Sequence, residues 1–279
     1  MQRCTGCRCL PGAGTLRGVT GTVTLLTGAS SGIGRSLARR LAADGHPIAL
    51  VARRKALLES LVVEIEQAGG RAIAIPCDVT EPEQVKAAAR EAEASLGPIE
   101  RLVANAGGGD PVFPESFSAE QIQRTLALNV LGTAHCIEAV LPGMLERRSG
   151  HLVAVSSLAS YRGLPSAAAY SAAKAALTNL MESLRIDLRH RGVDVTVLLP
   201  GFVRTKPGSG RSRKKPFRLE LEAATARMQH SIVTRRGRDA FPAPLVALFG
   251  LARLLPAPAF DALVAGLGRK PKRPPDAGG

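Results

Sequence analysis

The chain has 279 residues, 45% of them apolar and 22% charged. That is the balance of an ordinary soluble globular protein, long enough to bury a sizeable core in one large domain or two small ones. The net charge of +14 invites a nucleic-acid reading, but residues 1–203 hold 21 Lys and Arg against 18 Asp and Glu, whereas 204–279 hold 16 against 5. The body is nearly neutral, and the basic last quarter has few aromatics and no nucleic-acid module, which leaves nucleic acid a minor reading.

A Gly- and Cys-rich leader (1–19) comes first. Its Cys4, Cys7 and Cys9 hint at metal, but no second Cys or His pair at zinc-like spacing completes four ligands, so a flexible segment is expected and no metal site. It lacks the apolar stretch of a signal peptide, which points to the cytoplasm. Then "TVTLLT" (22–27) reads as a buried strand, followed by a helical pattern over 33–43. "PIALVA" (47–52), "RAIAIP" (71–76), "RLVANAG" (101–107), "HLVAVSS" (151–157) and "DVTVLLP" (194–200) are further short apolar runs. Helical patterns over 54–68, 81–96, 118–147 and 166–191 separate them. Cys77 and Cys136 lie in apolar stretches and read as small core residues. Continuous apolar strands alternating with helices predict an α/β fold, a doubly wound parallel sheet covered on both faces. Such sheets bind ligands beyond the carboxyl ends of their strands.

At the end of the first strand stands "TGASSGIG", with Gly28, Gly32 and Gly34, and with Ser30, Ser31 and Ile33 between them. Glycines permit a tight turn and let backbone N–H groups approach a pyrophosphate resting on a helix N-terminus. The second strand ends in Ala52, Arg53 and Arg54, without the acid that would hold an adenosine ribose. A guanidinium matches a 2′-phosphate through paired donors, so NADP(H) is favoured over NAD(H), with Arg53 as the main contact and Arg54 assisting. Further on, Tyr170 and Lys174 are four residues apart in "SAAAYSAAKAAL", on one face of a helix.

With these pieces the chain resembles the short-chain dehydrogenase/reductase family over roughly residues 20–205. The motif residues are the Thr27–Gly34 turn, Asp78-Val79, Asn105-Ala106-Gly107, Asn129, Ser157, Tyr170 with Lys174, and Pro200-Gly201 followed by Val203 and Thr205. Ser156 and Ser157 compete for the serine role. The family's usual spacing of thirteen residues before the tyrosine selects Ser157. The resemblance implies a Rossmann-type catalytic domain over 20–240, including a substrate lid at 204–235. It implies hydride transfer between the nicotinamide and a carbonyl or secondary alcohol, with Tyr170 as general acid/base. An ammonium at Lys174 would favour the phenolate and hold the nicotinamide ribose. Ser157 would bind the substrate oxygen, and Asn129 would complete a proton path through water. Asp78 would hold the adenine, Asn105 would brace the sheet, and Val203 and Thr205 would contact the nicotinamide amide. It also implies a homo-oligomer.

Beyond Thr205 the family pattern thins. The basic run 206–218 stands where the lid would be and could attract an acyl thioester, which makes a 3-oxoacyl thioester reductase the alternative enzyme. A cofactor-binding scaffold without turnover is the alternative of another class. Residues 219–233 read as a helix, and 241–268 as two short apolar helices broken at Pro256 and Pro258. Those helices cover a sheet edge, form an oligomer interface, or touch a membrane through Phe241, Leu245, Leu248, Phe249 and Leu255 and deliver a lipophilic substrate. The basic tail 269–279 reads as disordered.

Overall fold

The computed structural model describes residues 21–205 and 217–265. The expectations for the leader, the run 206–216 and the tail lie outside these residues. Seven parallel strands form one sheet: β1 (Thr24–Thr27), β2 (Ile48–Ala52), β3 (Ala72–Pro76), β4 (Arg101–Ala104), β5 (Gly150–Val155), β6 (Val193–Pro200) and β7 (Arg238–Phe241). Their order is β3-β2-β1-β4-β5-β6-β7. The chain winds outward from β1 through β2 to β3, then crosses back to place β4 on the other side of β1. The reversal opens a crevice at the carboxyl ends of β1 and β4.

Side chains alternate across the sheet, as strand geometry requires. Leu25, Val51, Leu102, Leu152 and Val197 pack on one face under α3 (Pro82–Leu96), α5 (Gly132–Glu146) and α6 (Ala168–Asp187). Leu26, Leu50, Val103, Val153 and Leu198 pack on the other under α1 (Gly32–Ala43), α2 (Lys55–Gln67) and α7 (Leu221–Val233). Both faces are covered, which is why the strands read as unbroken apolar runs. Cys77 and Cys136 are buried among these residues, as expected.

The helical run 118–147 resolves into α4 (Ala119–Leu126), a π-helical turn (Ala127–Leu131) and α5. By length and composition 119–146 could cross a membrane. It lies instead between the sheet, α3 and α6.

The strand β7 was not anticipated. Its sequence "RDAF" carries two charges, and Asp239 points inward, 5% exposed. Arg227 Nε and Nη2 donate to the Asp239 carboxylate at 3.0 and 2.7 Å, and the Ser231 hydroxyl donates at 2.6 Å. A buried acid is tolerated when fully hydrogen-bonded, and its partners come from α7, several residues away. Beyond β7 the chain forms α8 (Ala243–Leu254) and α9 (Ala257–Val264), broken at the prolines as expected. Of the five residues expected to face outward there, Phe241 and Leu245 are fully buried, and Phe249 is half-buried, packed on the core and edge-to-face with Tyr161. Phe241 ends the edge strand with its ring packed against α7, and Leu245, in the first turn of α8, packs on the other face of the sheet, so both belong to the core.

Candidate active site

The turn after β1 crosses the crevice. Gly28 has φ +67°, and a Cβ on Gly34 would lie 2.2 Å from the Gly28 carbonyl oxygen, so helix and turn meet backbone to backbone. That contact brings the amino end of α1, beginning at Gly32 with Ile33 behind it, directly under the turn. The turn is braced from β4: Asn105 and Ala106 both donate their backbone N–H to Thr27 Oγ1 at 3.0 Å. Asn105 Nδ2 donates to the Thr27 and Gly28 carbonyls at 3.1 and 3.3 Å.

Arg54, not Arg53, lies against the turn. Its Nη2 donates to Ser30 Oγ at 2.7 Å and Ser31 Oγ at 2.8 Å. Arg53 points outward, 76% exposed at its side chain, with Nη1 3.6 Å from Asp78 Oδ2. Burial opposes ionisation of Asp78, but hydrogen bonds from Thr80 and the Arg53 guanidinium outweigh it and hold the carboxyl below its usual range. Val79 is buried, and its carbonyl accepts from His135 Nδ1 at 3.1 Å.

The chemical groups gather one strand further along. The π-helical turn carries Asn129, which is fully buried. In a π turn the backbone ladder slips by one residue, and here Asn129 Nδ2 takes the Thr125 carbonyl at 2.8 Å. The same amide grips Gly108 from both sides: Nδ2 donates to its carbonyl at 2.7 Å, and Oδ1 accepts from its N–H at 3.2 Å. A Cβ on Gly107 would stand 2.6 Å from Asn129 Oδ1 and 3.0 Å from Lys174 Nζ, so only glycine leaves these groups together.

Tyr170 and Lys174 occupy the first turns of α6, as their spacing required, with the ammonium 5.8 Å from the phenol ring centroid. Lys174 is buried; Nζ donates to the Val155 carbonyl at 2.9 Å, and burial pushes its pKa down to about 8. An ammonium has three donors, and Val155 takes one. Burial raises the pKa of the Tyr170 phenol, and a hydrogen bond with Ser157 partly opposes this.

The two candidate serines separate cleanly. Ser156 is buried, its hydroxyl donating to the Lys174 carbonyl at 3.0 Å and lying 2.7 Å from Thr178 Oγ1, so it ties β5 to α6. Ser157 opens a short 3-10 turn (Leu158–Ser160), accepts from the Ala159 N–H at 3.1 Å and reaches Tyr170. Pro200 ends β6, and Gly201 donates its N–H to the Phe241 carbonyl at 2.8 Å. Val203 pairs with Leu219 in a two-residue ladder, and the Thr205 side chain stands 3.4 Å from where a Gly32 Cβ would be. Thr205 therefore overhangs the amino end of α1.

A switch-point crevice with a glycine cradle, next to a Tyr–Lys–Ser cluster, defines a nicotinamide-dinucleotide oxidoreductase. A family model described as short chain dehydrogenase matches residues 22–215, and the chain belongs to that family. A relative called an uncharacterized oxidoreductase, from Myxococcus xanthus, is 41% identical over 85% of this chain and 94% of its own length. One called fatty acyl-CoA reductase, from Acinetobacter baylyi, is 35% identical over 67% of this chain and 64% of its own. The crystal structure of a short-chain dehydrogenase/reductase from Burkholderia phymatum in complex with NAD superposes with a TM-score of 0.76. That match is 27% identical and covers 92% of this chain and 98% of the other. The protein is accordingly an NAD(P)-dependent enzyme acting on CH–OH groups.

Proposed function

We propose that this enzyme reduces a carbonyl to a secondary alcohol with NADP(H) in preference to NAD(H), Tyr170 acting as general acid. The observation that carries this reading is the half-buried Tyr170 phenol within reach of Ser157 and beside the Lys174 ammonium, at the strand ends next to the cradle. The cradle fits a dinucleotide, because a side chain at Gly34 would fill the space where backbone must approach the turn. Gly28, Ser30, Ser31, Gly32 and the amino end of α1 would hold the pyrophosphate. Asp78 and Val79 would lie along the adenine, and Asn105 and Ala106 would brace the turn beneath it. Pro200, Gly201, Val203 and Thr205 would flank the nicotinamide, which supplies a hydride when bound.

The protein's own groups then divide the work. Ser157 donates a hydrogen bond to the substrate carbonyl oxygen and polarises it. Tyr170 gives its proton to that oxygen, and Lys174, held in place by Val155, stabilises the phenolate left behind. Asn129, which orders the Gly108 backbone, stands at the start of the path by which water returns the proton.

The preference for the phosphorylated cofactor rests on the two arginines, with Arg54 at the turn and Arg53 drawn in from its exposed pairing with Asp78. Charge-assisted contacts contribute about 1.5–3 kcal/mol each. Arg54→Ala should therefore weaken NADPH by roughly 10- to 100-fold and leave NADH nearly unchanged. Fluorescence titration of both cofactors checks this, and equal affinity of the unaltered protein for the two would remove the preference. The acyl-thioester alternative is supported by the basic run at 206–218 and by the fatty acyl-CoA reductase among the relatives. Following NADPH absorbance with aliphatic ketones and with a 3-oxoacyl thioester separates the two substrates. No turnover with any carbonyl would sink both. A homo-oligomer in the cytoplasm completes the reading.

A further inference from the structure

Helices α8 and α9 follow the last strand and form an arm whose outer surface is apolar. Leu248, Leu251, Leu254, Leu255 and Leu263 are all exposed, Leu251 by 66% and Leu254 by 80%. Between Phe241 and Gly268 the only charges are Arg253 and Asp261. Soluble proteins rarely leave so many large apolar side chains together in water without a partner.

The arm is held firmly and in a telling place. Arg162 Nη1 donates to the Ala252 and Leu255 carbonyls at 2.6 and 2.8 Å, taking up carbonyls at the end of α8. Its guanidinium also stacks on Phe260, 4.0 Å from the ring centroid. Leu164 packs against Ala252, Phe260 and Val264. Arg162 and Leu164 belong to the segment that joins Ser157 to Tyr170. The arm thus rests its inner side on the active-site segment and turns its leucines outward.

We propose that this outer face of α8 and α9 docks on an anionic lipid surface, bringing the mouth of the active site to the membrane. The choice between a bilayer and a second copy of the chain is made by charge. In sequence, the residues that follow the arm carry Arg269, Lys270, Lys272 and Arg273 against a single acid, Asp276. A second copy of the arm carries the same positive charge in its sequence, whereas anionic headgroups complement that charge while the leucines enter the interface. A peripheral anchor of this kind lies in the interface plane and needs no spanning helix. The arrangement suits a substrate that partitions into lipid.

The full-length protein should sediment with phosphatidylcholine vesicles that contain phosphatidylserine at low salt, be released at high salt, and stay in solution with phosphatidylcholine alone. The double variant Leu251→Asp/Leu254→Asp changes two exposed positions outside the core. It should reduce vesicle binding at least tenfold with an unchanged melting temperature and an unchanged mass by analytical ultracentrifugation. Undiminished vesicle binding by that variant would overturn the proposal. So would a fall in its solution mass without vesicle binding by the parent, which would make the face a contact between copies. None of these readouts depends on the substrate or on turnover.

Discussion

At Tyr170 and Lys174 burial works in opposite senses on the two charges. Removing a phenol from water disfavours its anion, and removing an ammonium from water disfavours its cation. Tyr170 therefore keeps its proton more firmly, while Lys174 gives its proton up near pH 8. The ammonium form of Lys174 is the one that supports proton donation by Tyr170. It is present below its lowered pKa and lost as pH rises through it. Carbonyl-reducing kcat/KM should accordingly fall above about pH 8, and Lys174→Arg should move that break upward; a profile flat from pH 7 to 10 would contradict the assignment. Tyr170→Phe removes only the titrating oxygen. It should lower kcat by roughly 10²- to 10⁴-fold, the usual contribution of a placed acid, with NADPH binding by fluorescence almost unchanged.

Among the elements, α1 and the π-helical turn show how much depends on one residue's size or hydrogen bonds. Gly34→Ala would drive a methyl to 2.2 Å from the Gly28 backbone oxygen and 2.7 Å from Asn105 Nδ2, the amide that braces the turn. The turn must open or the helix must shift. Overpacking of this kind costs about 1–3 kcal/mol. Both the melting temperature and NADPH affinity should drop, read by calorimetry and titration. Asn129→Ala would leave the buried Thr125 carbonyl and both polar groups of the half-buried Gly108 without their partner. Each lost pairing costs about 1–3 kcal/mol. This variant should lose thermal stability as well as activity, unlike Tyr170→Phe, and differential scanning calorimetry distinguishes the two.

For the molecule as a whole, β7 closes the sheet against β6 and depends on Asp239. Burial works against its carboxylate, but the hydrogen bonds from Arg227 and Ser231 prevail and its pKa is lowered. A carboxylate whose folded pKa lies below its unfolded value adds stability above about pH 4, and that stability is lost as pH falls through the folded value. Asp239→Asn should cost about 1–3 kcal/mol at pH 7, discounted because Arg227 is 44% exposed, and should flatten the acid limb of the stability profile. Chemical denaturation at pH 7 and at pH 4 measures both effects.

Six of the seven strands, all the long helices and the positions of the glycine turn, Ser157, Tyr170 and Lys174 were legible in the sequence. Local pattern dictates them: unbroken apolar runs for strands buried on both faces, glycines where backbone must touch backbone, and a four-residue spacing that sets two side chains on one helix face. What only the tertiary structure decided depends on groups far apart in the chain. The strand β7 forms because α7 supplies partners for a buried acid, and no apolar run announces it. Ser156 and Ser157 differ because α6 claims the first and leaves the second to Tyr170. Arg54 reaches the turn while Arg53 pairs with Asp78, a division fixed by how β2 ends beside β1 and β3. The raised phenol pKa likewise comes from burial, which depends on the protein packed around Tyr170 and not on the lysine four residues away.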